Sequence, residues 1–281
     1  MFTALVSTSD LAARLSAPDL VLVDVRHDLA QPAVWGEAQY RAAHLPGAVF
    51  VHLDRDLSAS KTGKNGRHPL PSPEACAAVF GRLGIDATKQ VVAYDQTSGM
   101  FASRLWWMLR RLGHPAVAVL DGGYDQWVRE GRAVTAEVPV PPHATFVIRE
   151  VAATVEADAV QASLATRSLL LIDARGPERF RGEIEPLDPV AGHIPGAINR
   201  PYGQNLGADG AFKPAAALRA EFEALLAGYP PANVVHQCGS GVSACHNALA
   251  MEVAGLPGTR LYAGSWSEWC ADPSRPVARG G

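Results

Sequence analysis

Charge is scarce in this chain. Asp, Glu, Lys and Arg make up only 19% of its 281 residues, and Lys+Arg 25 against Asp+Glu 28 leave a formal net charge of −3. That balance gives no basic footprint for nucleic acid or an anionic membrane surface, so any anion site has to be local. Cysteine is sparse too, with four in the whole chain, too few for the disulfide framework of a small secreted domain. Free thiols are expected, one of them a candidate for reactivity. The first twenty residues set Asp10, Arg14 and Asp19 in an alternating polar and apolar stretch. They lack the basic start and continuous apolar core of a signal peptide, which points to the cytoplasm. Residues 224–251 contain no Asp, Glu, Lys or Arg, but Pro230, Pro231, Asn233, His236 and Gln237 interrupt them. A bilayer offers such groups no partners, so no membrane span is expected.

Apolar residues, by contrast, are ample at 48%, and the length suits two cores better than one. The chain also contains itself twice. Leu20 to Arg26 reads LVLVDVR and Leu169 to Arg175 reads LLLIDAR, each an apolar strand-like run closing on Asp-x-Arg. Twenty residues beyond each Asp comes a matching string, His44-Leu45-Pro46-Gly47-Ala48 and His193-Ile194-Pro195-Gly196-Ala197. Ser72-Pro73 opens a helix that stops at Gly84, and its counterpart runs from Pro214 to Gly228 with Leu218, Phe222, Leu225 and Leu226 on one stripe. Short strands follow at 91–94 and 234–237, then at 116–121 and 260–262. GGYDQW (122–127) and GSWSEW (264–269) close the repeat. Strands alternating with helices predict an α/β protein of two duplicated domains, each a mostly parallel central sheet flanked by helices. The expected boundaries are 1–138 and 151–281, with a Pro-rich linker at 139–150.

Chemistry is sought where the halves differ. After the strand at 234–237 the chain reads Cys238-Gly239-Ser240-Gly241-Val242-Ser243-Ala244-Cys245, whereas the first half has Asp95 in place of the leading cysteine. A cysteine that ends a strand and starts a Gly/Ser loop winding into a helix lies among converging backbone N–H groups. Those donors and the helix N-terminus, worth about half a positive charge, stabilise an anion on sulfur. A free thiol with pKa about 8.5 is only slightly ionised at neutral pH, so such a cradle suits a nucleophile. Gly239 and Gly241 let the backbone curl round the sulfur, and Ser240 and Ser243 add hydroxyl donors. A phosphatase reading requires Arg six residues after the cysteine, where this chain has Ala244; without that clamp a phosphate dianion is poorly held. His44 and His193 occur in both halves and read as structural. Cys245 reads as packing, Cys76 and Cys270 belong to no motif, the tryptophans are mostly core, and Tyr94 and Asp95 read as relics of the duplicated site.

The paired Asp-x-Arg strands, both His-x-Pro-Gly-Ala strings, the CGSGVSAC loop and the GSWSEW segment together resemble the two-domain rhodanese family of sulfurtransferases. The loop is most similar to its mercaptopyruvate branch. The resemblance implies tandem rhodanese-like domains, only the second catalytic, and a persulfide on Cys238. It further implies a sulfur donor, an acceptor that is cyanide or a thiol, thioredoxin among the candidates, and no metal or organic cofactor. The thiosulfate branch places basic side chains after the cysteine, where this chain has Gly239 and Ser240. A hydrogen bond lost from a charged group costs about 1.5 to 3 kcal/mol, which favours 3-mercaptopyruvate over thiosulfate. Donor-binding groups are then Arg179 and the loop residues Gly239, Gly241, Val242 and Ser243. The second arginine of many mercaptopyruvate enzymes falls in Ile184 to Asp188, where no Arg stands; Arg181 is the candidate replacement. By the same resemblance Ser240, His68 and Asp54 form a proton-handling set with Cys238. Two rivals remain: a thiosulfate sulfurtransferase, and a persulfide carrier that does not turn over.

Overall fold

The computed structural model describes residues 1–152 and 154–281. By packing, the chain forms two compact units. The first comprises Met1–Ala59, Pro71–Ala152 and Ala208–Phe212, and the second Ser60–Leu70, Ala153–Gly207 and Lys213–Gly281. Two short segments thus pack with the unit opposite to their place in the sequence. They occupy equivalent positions in the repeat, each just ahead of the helix that opens on Pro73 or follows Pro214.

In the first unit the elements run β1 (Leu5–Val6), α1 (Thr8–Ala12), β2 (Leu20–Asp24), α2 (Trp35–Ala42), β3 (Val49–Phe50), α3 (Leu53–Asp56), α4 (Pro73–Arg82), β4 (Gln90–Tyr94), α5 (Ala102–Arg111), β5 (Val117–Leu120) and α6 (Gly123–Arg129). The sheet order is β1-β5-β4-β2-β3, and every pairing is parallel. The apolar run at 20–24 becomes β2, next to β4 in the register Leu20↔Gln90 to Asp24↔Tyr94. Flanked on both sides, such strands need side chains that suit two buried faces, which continuous Leu/Val runs supply. Helix α4 starts where the sequence predicts: the Ser72 hydroxyl accepts the Ala75 N–H at 3.2 Å, and Pro73 stands in the first turn.

The second unit repeats the plan with α7 (Ala157–Thr166), β6 (Leu170–Asp173), α8 (Pro177–Arg181), β7 (Ile198–Asn199), α9 (Ala215–Leu226), β8 (Val234–Gln237), α10 (Ser243–Val253), β9 (Arg260–Leu261) and α11 (Ser265–Trp269). Its sheet is β7-β6-β8-β9, again parallel throughout. The predicted stripe of α9 is buried at Leu218, Phe222 and Leu226.

Both Asp-x-Arg signatures are strand-end clamps. Arg26 pairs with Asp24 and Arg175 with Asp173 at 2.7 Å, all four side chains at most 1% exposed. Burial pushes the Asp24 carboxyl up while Arg26 pulls it back down, so the pair is held by mutual need rather than by net gain. Each guanidinium faces an aromatic ring from the repeat's last helix, Tyr124 at 4.0 Å and Trp266 at 4.9 Å. His44 and His193 match in role as well: each stacks on a ring, Tyr40 or Phe180, and donates from Nδ1 to that residue's carbonyl at 2.7 Å. Among the described residues no helix is long and apolar enough to cross a membrane.

Candidate active site

Strand β8 delivers Cys238 to the carboxyl end of the second sheet, and five residues later α10 begins. The turn depends on Gly241, whose φ is +76° and whose missing Cβ would stand 2.3 Å from the Ala263 carbonyl oxygen. Only glycine meets both conditions. The Gly241 N–H then donates to Cys238 Sγ at 3.1 Å. Val242 flanks the N-terminus of α10 and Ser243 is its first residue; the helix's positive end lies on the cysteine side of the loop, with no acidic residue in its first turn. Cys238 itself is buried, with 2% of its surface exposed.

Helix α11 grips the loop from the other side. Trp266 N–H donates to the Cys238 carbonyl and Ser267 N–H to that of Gly239, both at 3.0 Å. The Ser265 hydroxyl accepts the Cys238 N–H at 3.1 Å and donates to the Tyr262 carbonyl at 2.9 Å. Ser267 holds a further segment: its Oγ accepts the N–H of Arg67 at 3.0 Å. Residues 60–70 belong to this second unit, so GSWSEW fastens both the cysteine loop and the Gly66-Arg67-His68 stretch.

His68 is thereby brought to the loop. Its Nδ1 lies 2.7 Å from Ser240 Oγ, and both residues are buried. Asp54 belongs to the first unit, in the first turn of α3, where its N–H donates to His52 Nδ1 at 3.1 Å.

Arg179, on α8, is engaged rather than bare. It donates to Glu185 at 2.7 Å and reaches Asp188 at 3.2 Å. The other oxygen of Asp188 pairs with Arg67, and Arg175 makes a longer contact to Glu185 at 3.4 Å. A Cβ on Gly239 would stand 2.7 Å from Arg67 Nη2 and 3.4 Å from Arg179 Nη1. The bare backbone at Gly239 therefore leaves room for two guanidiniums beside the cysteine. Arg181 does not fill the gap foreseen for it: it forms an exposed pair with Glu183 at 2.7 Å. The guanidinium next to Arg179 is that of Arg67. Sequence reading passed over it, although it stands beside His68 and was open to suspicion on that ground. Glu185, Asp188, Ser265 and Ser267 were missed as well; the Gly123 to Ser265 difference between the repeats was the available signal for one of them.

The first unit's loop is closed chemically. Asp95 stands where Cys238 does, and its carboxylate accepts N–H bonds from Gly99 at 2.9 Å, Phe101 at 2.7 Å and Ala102 at 3.2 Å. Burial raises its pKa, and those backbone donors oppose the rise. The anion cradle is thus filled by a side chain of the same loop. Tyr94 donates to Asp24 at 2.9 Å. The remaining thiols lack a comparable loop: burial pushes Cys76 up and Cys270 up to about 11, while Cys245 donates to the Gly241 carbonyl at 3.3 Å and packs. All four cysteines are free. His236, two residues before the cysteine, is fully buried, and desolvation lowers its pKa to about 3.

A model of the rhodanese-like domain matches this chain twice, over residues 7–130 and 156–272. The chain belongs to the rhodanese family. Rhodanese-family relatives include a probable 3-mercaptopyruvate sulfurtransferase of Pseudomonas aeruginosa, 48% identical over 98% of each chain. A putative thiosulfate sulfurtransferase, SseB, of Mycobacterium tuberculosis is 41% identical over 98% of this chain and 97% of its own. Among solved rhodanese folds, the 3-mercaptopyruvate sulfurtransferase SseA of Escherichia coli superposes with a TM-score of 0.80 at 30% identity, covering 94% of this chain and 99% of that one.

Proposed function

We propose that this rhodanese-family chain is a sulfurtransferase that takes sulfur from 3-mercaptopyruvate through a persulfide on Cys238 and passes it to a thiol or cyanide. The observation that carries the reading is the pair of guanidiniums, Arg67 and Arg179, bordering the bare backbone of Gly239 beside the cysteine. A carboxylate two carbons from a thiol can lie on such a fork while its sulfur reaches Cys238. The local charge supports a monoanion: Arg67, Arg175 and Arg179 are met by Asp173, Glu185 and Asp188, so little positive excess is left for the dianion thiosulfate, and the loop adds no cation.

In the proposed cycle the Cys238 thiolate attacks the donor sulfur, the carbon–sulfur bond breaks, and its electron pair leaves as the enolate of pyruvate. The Ser240 hydroxyl, backed by His68, donates to the developing enolate oxygen, and a proton delivered through His68 to carbon completes pyruvate. The persulfide left on Cys238 is held by the Gly241 N–H and the N-terminal end of α10 at Val242 and Ser243. An acceptor thiolate, such as that of thioredoxin, or cyanide then attacks the outer sulfur and restores the Cys238 thiolate.

The test is kcat/KM for the purified chain with each donor in parallel, cyanide as acceptor and Cys238→Ser as blank. A preference for 3-mercaptopyruvate of tenfold or more is expected. A preference for thiosulfate overturns the donor assignment. Transfer of one sulfur per chain without further release of product overturns turnover and identifies a carrier.

A further inference from the structure

One side chain separates the two repeats at the point where the last helix meets the strand-to-helix loop. In the first unit the position is Gly123, with φ +60°; in the second it is Ser265, with φ +56°. Both copies therefore need the left-handed region, where glycine is at ease and a side chain is strained. The first copy could not carry a side chain there, because a Cβ on Gly123 would stand 2.8 Å from the Asp95 carbonyl and 3.1 Å from that of Gln96. The second copy has opened that space and filled it with a hydroxymethyl group that is fully buried.

The hydroxyl makes two contacts, and one of them is with the candidate nucleophile's own peptide: it accepts the Cys238 N–H at 3.1 Å while donating to the Tyr262 carbonyl at 2.9 Å. The Cys238 carbonyl is already held by Trp266 N–H at 3.0 Å. With Ser265 the peptide groups on both sides of the Cys238 Cα are held, which sets the direction of the Cα–Cβ bond, and from there the staggered rotamer that brings Sγ to the Gly241 N–H is the one occupied. Strained backbone that persists in a buried site is accompanied by a local return, and here the return falls on the cysteine that only this repeat has.

We propose that Ser265 is a positioning residue for Cys238, retained against its backbone preference in order to orient the sulfur in its cradle. The proposal rests on Cys238 being the reactive thiol, as argued above, but not on the identity of the donor.

Ser265→Gly is the informative variant, since Gly123 already shows glycine in this conformation, so folding is not at risk; Ser265→Ala keeps the Cβ and removes only the hydroxyl. Two readouts are taken on the full chain. The first is the second-order rate of alkylation of Cys238 by iodoacetamide, a neutral probe that makes no demand on the arginines. The second is kcat and KM for the better of the two sulfur donors. The expected result is a fall of fivefold or more in alkylation rate and in kcat for both variants, with KM within twofold of the parent. Unchanged alkylation and kcat in a folded Ser265→Gly overturn the proposal. If instead the parent's Cys238→Ser control loses no sulfur transfer, the persulfide reading itself has failed, and the alkylation rates alone decide whether Ser265 orients the thiol.

Discussion

Arg67→Ala tests the donor site most directly. The Arg67 guanidinium lies beside Gly239 and pairs with Asp188, whose side chain is 3% exposed. Removing it deletes one charged hydrogen bond to the donor carboxylate, worth about 1.5 to 3 kcal/mol, or about ten- to a hundredfold in binding. A second effect adds to the first. Asp188 now shares its two oxygens between Arg67 and Arg179; without Arg67 both turn to Arg179, which then competes less freely for substrate. The expected loss therefore lies in the upper half of that range. It falls on KM, because the carboxylate is held alike in ground state and transition state, while kcat changes little. Arg67→Lys keeps the charge but not the planar fork, and is expected to recover part of the loss. The assay is the initial rate of pyruvate release across a range of 3-mercaptopyruvate concentrations at fixed thiol. A kcat/KM for Arg67→Ala within twofold of the parent refutes the reasoning and returns Arg67 to the standing of a structural ion-pair partner.

Replacing His68 by Gln keeps a polar side chain near Ser240 Oγ but no titratable one, and kcat for pyruvate release is expected to drop by about a hundredfold or more; single-turnover kinetics on the isolated first half-reaction check this. Asp95→Ala leaves the N–H groups of Gly99, Phe101 and Ala102 without their carboxylate. It is expected to destabilise the fold by about 1 to 3 kcal/mol in urea unfolding while leaving sulfur transfer unchanged. Glu130 is held down to about 2, first by the Gln126 amide and then by Thr8 and Arg132. Its folded form binds the proton less tightly than the unfolded chain, so its contribution is present above pH 4.5 and fades as pH falls toward 2. Glu130→Gln should flatten that part of the acid unfolding curve, and a curve of unchanged slope between those limits would show that other carboxylates govern it.

Much of the architecture could be read from the sequence because a duplicated chain supplies its own comparison. The strands at Leu20, Leu169, Val91 and Val234 are apolar runs between turn residues, and both sheets are built on them. Cys238 was conspicuous because its counterpart is Asp95, and the loop glycines were expected to let the backbone curl round the sulfur, which Gly241 does with a φ of +76°. What could not be read is where a loop goes once it leaves its own repeat. Nothing local in Ser60–Leu70 says that it packs with the second unit; the resemblance alone set His68 at the loop and gave Arg67 no role, so exposed Arg181 stood in for it. The acidic partners escaped for a similar reason. Glu185 and Asp188 lie in an irregular segment with no periodicity, and only the fold shows their carboxylates turned onto three arginines. Ser265 was visible as a letter change from Gly123, but its meaning lies in a dihedral angle.

Duplication usually leaves spare copies, one of which is free to be lost. Here the packing of Ser60–Leu70 with the second unit and of Ala208–Phe212 with the first removes that freedom. A gene cut anywhere between the repeats encodes two fragments, neither of which holds a whole unit: the C-terminal one keeps Cys238 but lacks Arg67 and His68, and the N-terminal one lacks Phe212, whose N–H the Asp121 carboxylate accepts at 2.8 Å. The first repeat is therefore not a part that deletion could trim without taking Arg67 and His68 from the second unit. With each repeat holding a segment of the other's unit, the two copies form a single heritable part.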